Sequence, residues 1–84
     1  MEDQKTIVYA TTWCPHCKRA ARFLDENDIE YDYVNIEEDE HAADFVMSVN
    51  KGNRTVPTVV FPDGSVMTNP SNLILRQKLI VEVS

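Results

Sequence analysis

The chain has no apolar run approaching the roughly 18 residues a helix needs to cross a bilayer. Its start, Met1-Glu2-Asp3-Gln4-Lys5, is not the positive start of a signal peptide. A cytoplasmic protein with no membrane partner is expected. Positive charge is scarce as well: 8 Lys and Arg stand against 14 Asp and Glu, for a net charge of −6. That balance argues against any role resting on broad phosphate neutralisation, so nucleic acid is not an expected partner. Cysteine is limited to one close pair, Cys14 and Cys17. The loop they close is too small to staple a fold, and in a reducing compartment such a pair is more often catalytic or metal-binding than structural. Internal repeats, linkers and low-complexity segments are missing too. Eighty-four residues, 43% of them hydrophobic, make one small domain spanning 1–84, with a single core and modest stability.

What is present centres on Trp13-Cys14-Pro15-His16-Cys17. These residues follow the apolar run Ile7-Val8-Tyr9-Ala10 and open a segment with helical spacing, so Cys14 is expected where a strand hands over to a helix. The first turn of a helix has amides without intrahelical partners and a partial positive charge, and both favour a thiolate over a thiol. Cys14 is therefore the candidate nucleophile, with its sulfur expected to be open to an incoming disulfide. Pro15 suits the first helical position because it has no amide hydrogen and its φ is already helical. Cys17, three residues on, lies on the same side of the turn within reach of a disulfide, more buried and with the higher expected pKa. Acid concentrates at Glu37-Glu38-Asp39-Glu40, whereas Lys18, Arg19, Arg22, Lys51 and Arg54 form a positive rim near the cysteines if the fold brings them together.

Read in order, Thr6 to Ala10 is a strand, apolar throughout and so expected to be buried on both faces of a sheet. A helix follows from Pro15 to about Asn27, with Cys17, Ala20, Ala21 and Leu24 on its inner face. Ile29 to Ile36 is a second strand, although its alternation slips phase between Tyr33 and Val34. Glu38 to Asn50 is a second helix, with Ala42, Phe45, Val46 and Val49 inward and acid in its first turn. Strands at 58–61 and 65–68, joined by Pro62-Asp63-Gly64, make a hairpin. A last helix runs from about Ser71 to Val81, with Leu75, Leu79 and Val83 inward. The tyrosines, Phe23, Phe45, Phe61, Met47 and Met67 are expected in or near the core. The order β-α-β-α-β-β-α gives an α/β fold, a four-stranded mixed sheet with three helices on its two faces. A C-x-x-C beside a βαβ unit is the thioredoxin-like signature.

From Thr6 to about Leu79 the sequence resembles the glutaredoxin family, and the residues that carry the likeness are Trp13 to Cys17, Tyr31 to Ile36, Thr55-Val56-Pro57-Thr58 and the hairpin Phe61 to Thr68. Within that family, Gly52 to Thr58 with Asp63-Gly64-Ser65 and Thr68-Asn69-Pro70-Ser71 looks most like the mycoredoxins, the branch that works with mycothiol. The resemblance implies a thioredoxin fold, a cis-proline at Pro57 facing Cys14, and a substrate-binding set of Trp13, Arg54, Thr55, Val56, Pro57, Thr68, Asn69, Ser71 and Asn72. The backbone of Val56 would pair with the cysteine portion of a bound thiol. The amides near Ser71 and Asn72 would hold that thiol's carboxylate.

Two departures sharpen the reading. Glutathione-using members carry Gly-Gly and acidic residues where this chain has Thr68-Asn69-Pro70-Ser71, which counts against glutathione. Cys-Pro-His-Cys also differs from the mycoredoxin pair and is similar to that of oxidising disulfide-forming proteins. A charged His16 would further favour the Cys14 thiolate and a more oxidising poise.

The implied reaction is thiol–disulfide exchange. Cys14 attacks a mixed disulfide between a client protein and a small thiol, takes on the small thiol, and is resolved by a second one, with Cys17 serving a dithiol cycle. Pro15 and His16 tune Cys14. No tightly bound cofactor or metal is expected. The partners are a low-molecular-weight thiol (mycothiol or glutathione), client proteins carrying mixed disulfides and a disulfide reductase, and the protein itself is a monomer. One rival is an electron donor to an enzyme such as ribonucleotide reductase, itself reduced by thioredoxin reductase. Another is a metal or iron–sulfur module on Cys14 and Cys17 with His16 or His41. Zinc is disfavoured because it needs four ligands and His41 falls on the polar side of the second helix, and a cluster bridged between two chains is disfavoured by Pro15 directly after the first cysteine.

Overall fold

The computed structural model describes residues 5–80. Its elements are β1 (Thr6–Ala10), α1 (Pro15–Glu26), β2 (Tyr31–Asn35), α2 (Glu40–Val49), β3 (Thr58–Val60), β4 (Val66–Thr68) and α3 (Asn72–Leu79), in the expected order of types. The sheet runs β2-β1-β3-β4. β1 lies parallel to β2 and antiparallel to β3, and β3 is antiparallel to β4. Parallel neighbours need a long crossover, and α1 supplies it between β1 and β2.

Two buried clusters place helices on both faces. In one, Val8, Ala10, Val59 and Phe61 meet Cys17, Ala20 and Leu24 of α1 and Leu75 of α3. In the other, Ile36 meets Ala42, Ala43 and Val46 of α2, with Tyr9 and Val34 packed against them. This division explains the phase slip in β2. Tyr31 packs toward α1, where its hydroxyl donates to Asp25 at 2.9 Å, while Val34 packs toward α2. Successive side chains of a strand point to opposite faces, so a strand with a helix toward each face carries apolar residues in both phases, although those of β2 are only half-buried or exposed.

Several expectations are corrected. β1 is sealed on only one face: Thr6, Val8 and Ala10 are buried while Ile7 and Tyr9 are half-buried. The small side chains of Ala42 and Ala43 cover the α2 side thinly. The inner stripe of α2 is Ala42, Ala43 and Val46, with Phe45 half-buried against Tyr9 and Val49 41% exposed. At that end Asn50 turns toward the sheet instead, its Nδ2 donating to Val46 O at 2.8 Å and to Thr58 Oγ1 at 3.1 Å. Tyr33 is 40% exposed rather than in the core, because β2 is an edge strand. Asp39 and Ser71 are caps preceding α2 and α3 rather than parts of them. Leu75 and Leu79 do pack inward, and the expectations for Val81 and Val83 fall outside the described residues.

The β3–β4 turn follows from its residue types. Gly64 takes φ +91°, which an L side chain rarely adopts. Asp63 accepts from the Ser65 hydroxyl at 2.7 Å, the Ser65 amide at 2.9 Å and Lys78 Nζ at 3.0 Å, and these bonds hold its carboxyl well below the usual range. Lys78 also lies over the Phe61 ring, tying α3 to the hairpin.

Candidate functional site

Cys14 occupies the cap position of α1, extended at φ −84° and ψ 117°, and Pro15 opens the helix. The Cys17 amide donates to Cys14 Sγ at 3.2 Å. A helix-start amide aimed at a sulfur favours negative charge on it. The same sulfur lies 3.9 Å from the Val56 carbonyl oxygen, a long thiol–carbonyl contact. The Val56–Pro57 peptide is cis, Pro57 is buried, and Val56 packs against both core clusters. Both cysteines are free thiols.

The expectation that the Cys14 sulfur is open needs correcting, for the residue is only 4% exposed. The side chain turns into the end of α1 to take the Cys17 amide, and the Val56–Pro57 segment stands on its other side. Its chain neighbours Trp13, at 65% exposure, Pro15 and His16 remain at the surface. Cys17 is fully buried. Burial pushes its thiol up to about 12, helped by the hydrogen bond with Cys14 and opposed by a backbone hydrogen bond at Thr11 and by the charge of Arg19.

The remaining candidates divide into two groups. Trp13 Nε1 donates to Glu37 Oε2 at 3.0 Å, fastening the turn before Cys14 to the loop after β2. Arg54 and Thr55 are exposed on the approach to Val56, and the Thr55 carbonyl accepts from the Thr58 hydroxyl at 2.8 Å. Thr68 is engaged elsewhere, donating its hydroxyl to Asn50 Oδ1 at 2.7 Å. Asn69 takes φ 49°, a left-handed conformation that asparagine tolerates, and its amide donates to the Pro57 carbonyl at 2.7 Å. Ser71 caps α3 by accepting from the Ile74 amide at 3.2 Å.

Two residues near the cysteines escaped the sequence reading in these roles. The Arg19 guanidinium reaches across from α1 to the β4–α3 loop, donating to Pro70 O at 3.0 Å, Asn72 Oδ1 at 2.9 Å and Asn69 Oδ1 at 3.0 Å. Tyr33 donates its hydroxyl to Thr11 O at 3.2 Å, and its own ionisation is raised first by burial and then by charge on Cys17 and Cys14. The signal for Tyr33 was its register: it shares a face with Tyr31 and pairs with Val8, two residues short of the strand end that leads to Cys14. Arg19 left none, because its three acceptors lie about fifty residues away.

Of the expected positive rim, Lys18, Arg19 and Arg22 do gather, lining with Pro15 a depression of about 300 Å³. Lys51 and Arg54 are exposed and not among its walls. Among the described residues no cluster of three or more His, Cys, Asp or Glu is arranged to hold a metal ion, and no helix is long and apolar enough to cross a membrane.

Comparison with known proteins agrees with this geometry. The family model described as glutaredoxin matches residues 6–67. A Mycobacterium tuberculosis protein assigned provisionally to the glutaredoxins is 53% identical over 73 residues, covering 87% of each chain. Mycoredoxin 1 of Corynebacterium glutamicum is 49% identical over 63 residues, covering 75% of this chain and 77% of that one. The crystal structure of the thioredoxin-like protein BC3987 superposes with a TM-score of 0.78 at 29% identity, covering 89% of this chain and 100% of that one.

Proposed function

Because the chain belongs to the glutaredoxin family of thiol–disulfide oxidoreductases, we propose that it is a cytoplasmic, monomeric reductase of mixed disulfides between client proteins and a low-molecular-weight thiol, with mycothiol ahead of glutathione. The observation that carries this is the Cys14 sulfur, held by the Cys17 amide at a helix start and set beside the Val56 carbonyl. The 49% identity to a mycoredoxin supports mycothiol, as does Asn69-Pro70-Ser71 where glutathione-using members carry Gly-Gly and acid.

The Cys14 thiolate attacks the small thiol's sulfur in the mixed disulfide. A bond forms between Cys14 and the small thiol, the old S–S bond breaks, and the client cysteine leaves as a thiolate that takes a proton from water. A second small thiol then attacks the same sulfur, frees Cys14 and departs as a symmetrical disulfide for a reductase to recycle. The Val56 backbone pairs with the cysteinyl part of the small thiol, and Trp13, Arg54, Thr55 and Pro57 shape its bed. The first amides of α3, at Ser71 and Asn72, donate to the polar oxygens of that thiol, sugar hydroxyls in mycothiol or a carboxylate in glutathione. Thr68 and Asn69 act by holding that loop, through Asn50 and through Pro57. Pro15 and His16 tune the cap. Cys17, protonated at neutral pH, serves as the resolving thiol of a dithiol cycle.

The test is turnover of one mixed-disulfide protein substrate with mycothiol, with glutathione and with thioredoxin reductase, side by side. Mycothiol should give the highest kcat/KM. Turnover by thioredoxin reductase alone would instead mark an electron donor to a dedicated enzyme.

A further inference from the structure

The depression beside Pro15 is lined by three cations, Lys18, Arg19 and Arg22, from a chain that has only 8 basic residues and a net charge of −6. With Pro15 they recur at i, i+3, i+4 and i+7, so they form one stripe running along α1 away from Cys14. The helix gains nothing from this placement. α1 has no acidic residue in its first turn and no basic residue in its last, so its charges run against its own dipole. Lys18 and Arg22 are also like charges one turn apart, which disfavours the helix further. By contrast α2 begins with Asp39 and Glu40, and α3 ends with Arg76 and Lys78. The two salt bridges among the described residues, Lys5–Asp32 and Lys78–Asp63, leave the stripe without a carboxylate partner there. Arg19 spends its fork on neutral acceptors at Pro70, Asn69 and Asn72, so its charge is not cancelled.

We infer that this stripe is a docking site for carboxylates on the client protein, placed about three residues from the client's disulfide-bonded cysteine. The distance follows from geometry. Pro15 to Arg22 spans about 10 Å of helix, which an extended client covers in about three residues. The proposal rests on the exchange reading above and adds what kind of client that chemistry selects. The small thiol is assigned to Val56 and the start of α3, where Arg19 is already engaged through Asn69, Pro70 and Asn72, which leaves Lys18 and Arg22 to the protein half of the disulfide.

The probes are two peptides with one central cysteine in mixed disulfide with 2-mercaptoethanol, a neutral thiol. One carries Glu three residues to either side of the cysteine, the other Gln. The reduced protein should react with the Glu peptide about fivefold faster at low salt, as two surface ion pairs allow. The advantage should shrink as salt rises. In Lys18→Gln/Arg22→Gln the ratio of the Glu-peptide to the Gln-peptide rate should fall to about one, whatever the loss of positive charge near Cys14 does to both rates alike. Equal, fast rates with both peptides would overturn the docking site and leave the redox reading standing. An advantage that survives the double substitution overturns it too. If the advantage instead follows a carboxylate moved onto the small thiol, as 3-mercaptopropionate on the Gln peptide, the stripe reads the small thiol and not the client. A protein inert to every peptide loses both readings together.

Discussion

All three helices among the described residues begin with the same kind of hydrogen bond, and α1 and α2 make the sharpest contrast. The Cys14 sulfur accepts from the Cys17 amide at 3.2 Å before α1, and the Asp39 carboxylate accepts from the Ala42 amide at 3.1 Å before α2. Both cap residues are extended. From there the two ends diverge. Asp39 and Glu40 put negative charge on the positive end of α2, the arrangement that stabilises a helix. α1 has no acid in its first turn and carries Lys18, Arg19 and Arg22 in its first two. Its stability comes instead from burial, with Cys17, Ala20 and Leu24 at 0% exposure. An oxygen cap uses the potential of a helix end to hold the helix. The sulfur cap leaves the start of α1 without an acidic neighbour, next to the cysteine proposed as nucleophile.

The comparison breaks most sharply at the caps themselves. Cys14→Ser keeps a good cap but replaces the nucleophile, so turnover of a mixed disulfide should fall at least about a thousandfold while the urea midpoint barely moves. Appreciable turnover by that variant would end the comparison. Next comes Cys17→Ser, which should cost less than about tenfold with a small-thiol reductant, since the one-cysteine route does not need a resolving thiol. A loss equal to that of Cys14→Ser would show that both sulfurs are obligatory.

A smaller effect concerns pH. Cys17 has its thiol raised by burial from 9.0 to about 12 in the folded chain. The folded state therefore favours the protonated form, and this contribution is complete below pH 9 and is lost as pH rises toward 12. Stability should fall by about 1 kcal/mol between pH 7 and pH 10 from this group. Denaturant unfolding at the two pH values should show a flatter dependence for Cys17→Ala. The mirror experiment on α2 is the mildest: Asp39→Ala should cost about 1 kcal/mol of stability and change turnover less than about twofold, since its cap faces no substrate.

How far the chain could be read beforehand depended on whether the partners of a residue were local. The order of all seven elements came from periodicity and turn residues, and the cap at Cys14 from Pro15 and the apolar run before it. α2 was placed one residue out in phase, Val49 being chosen over Ala43, because alanine and valine both count as apolar and only the sheet says which side is inward. The residue types alone point to Tyr33 as core, because an edge strand is not marked as such in its own residues. Nothing local marks the partner of Thr68 either, whose hydroxyl donates to Asn50, eighteen residues earlier.

The sequence by itself determined the parts of the candidate site: a cysteine at a helix start, a partner three residues on, a Thr-Val-Pro segment further along, and an acidic balance that counts against nucleic acid as a partner. These are local facts, fixed by spacing along one strand–helix junction. Only the tertiary structure decided how deep the Cys14 sulfur sits, that Arg19 bridges to Asn69, Pro70 and Asn72, and that three cations share one depression. Those depend on which distant segments the crossover helix and the antiparallel strands bring side by side, and burial is a property of that packing rather than of any stretch of chain.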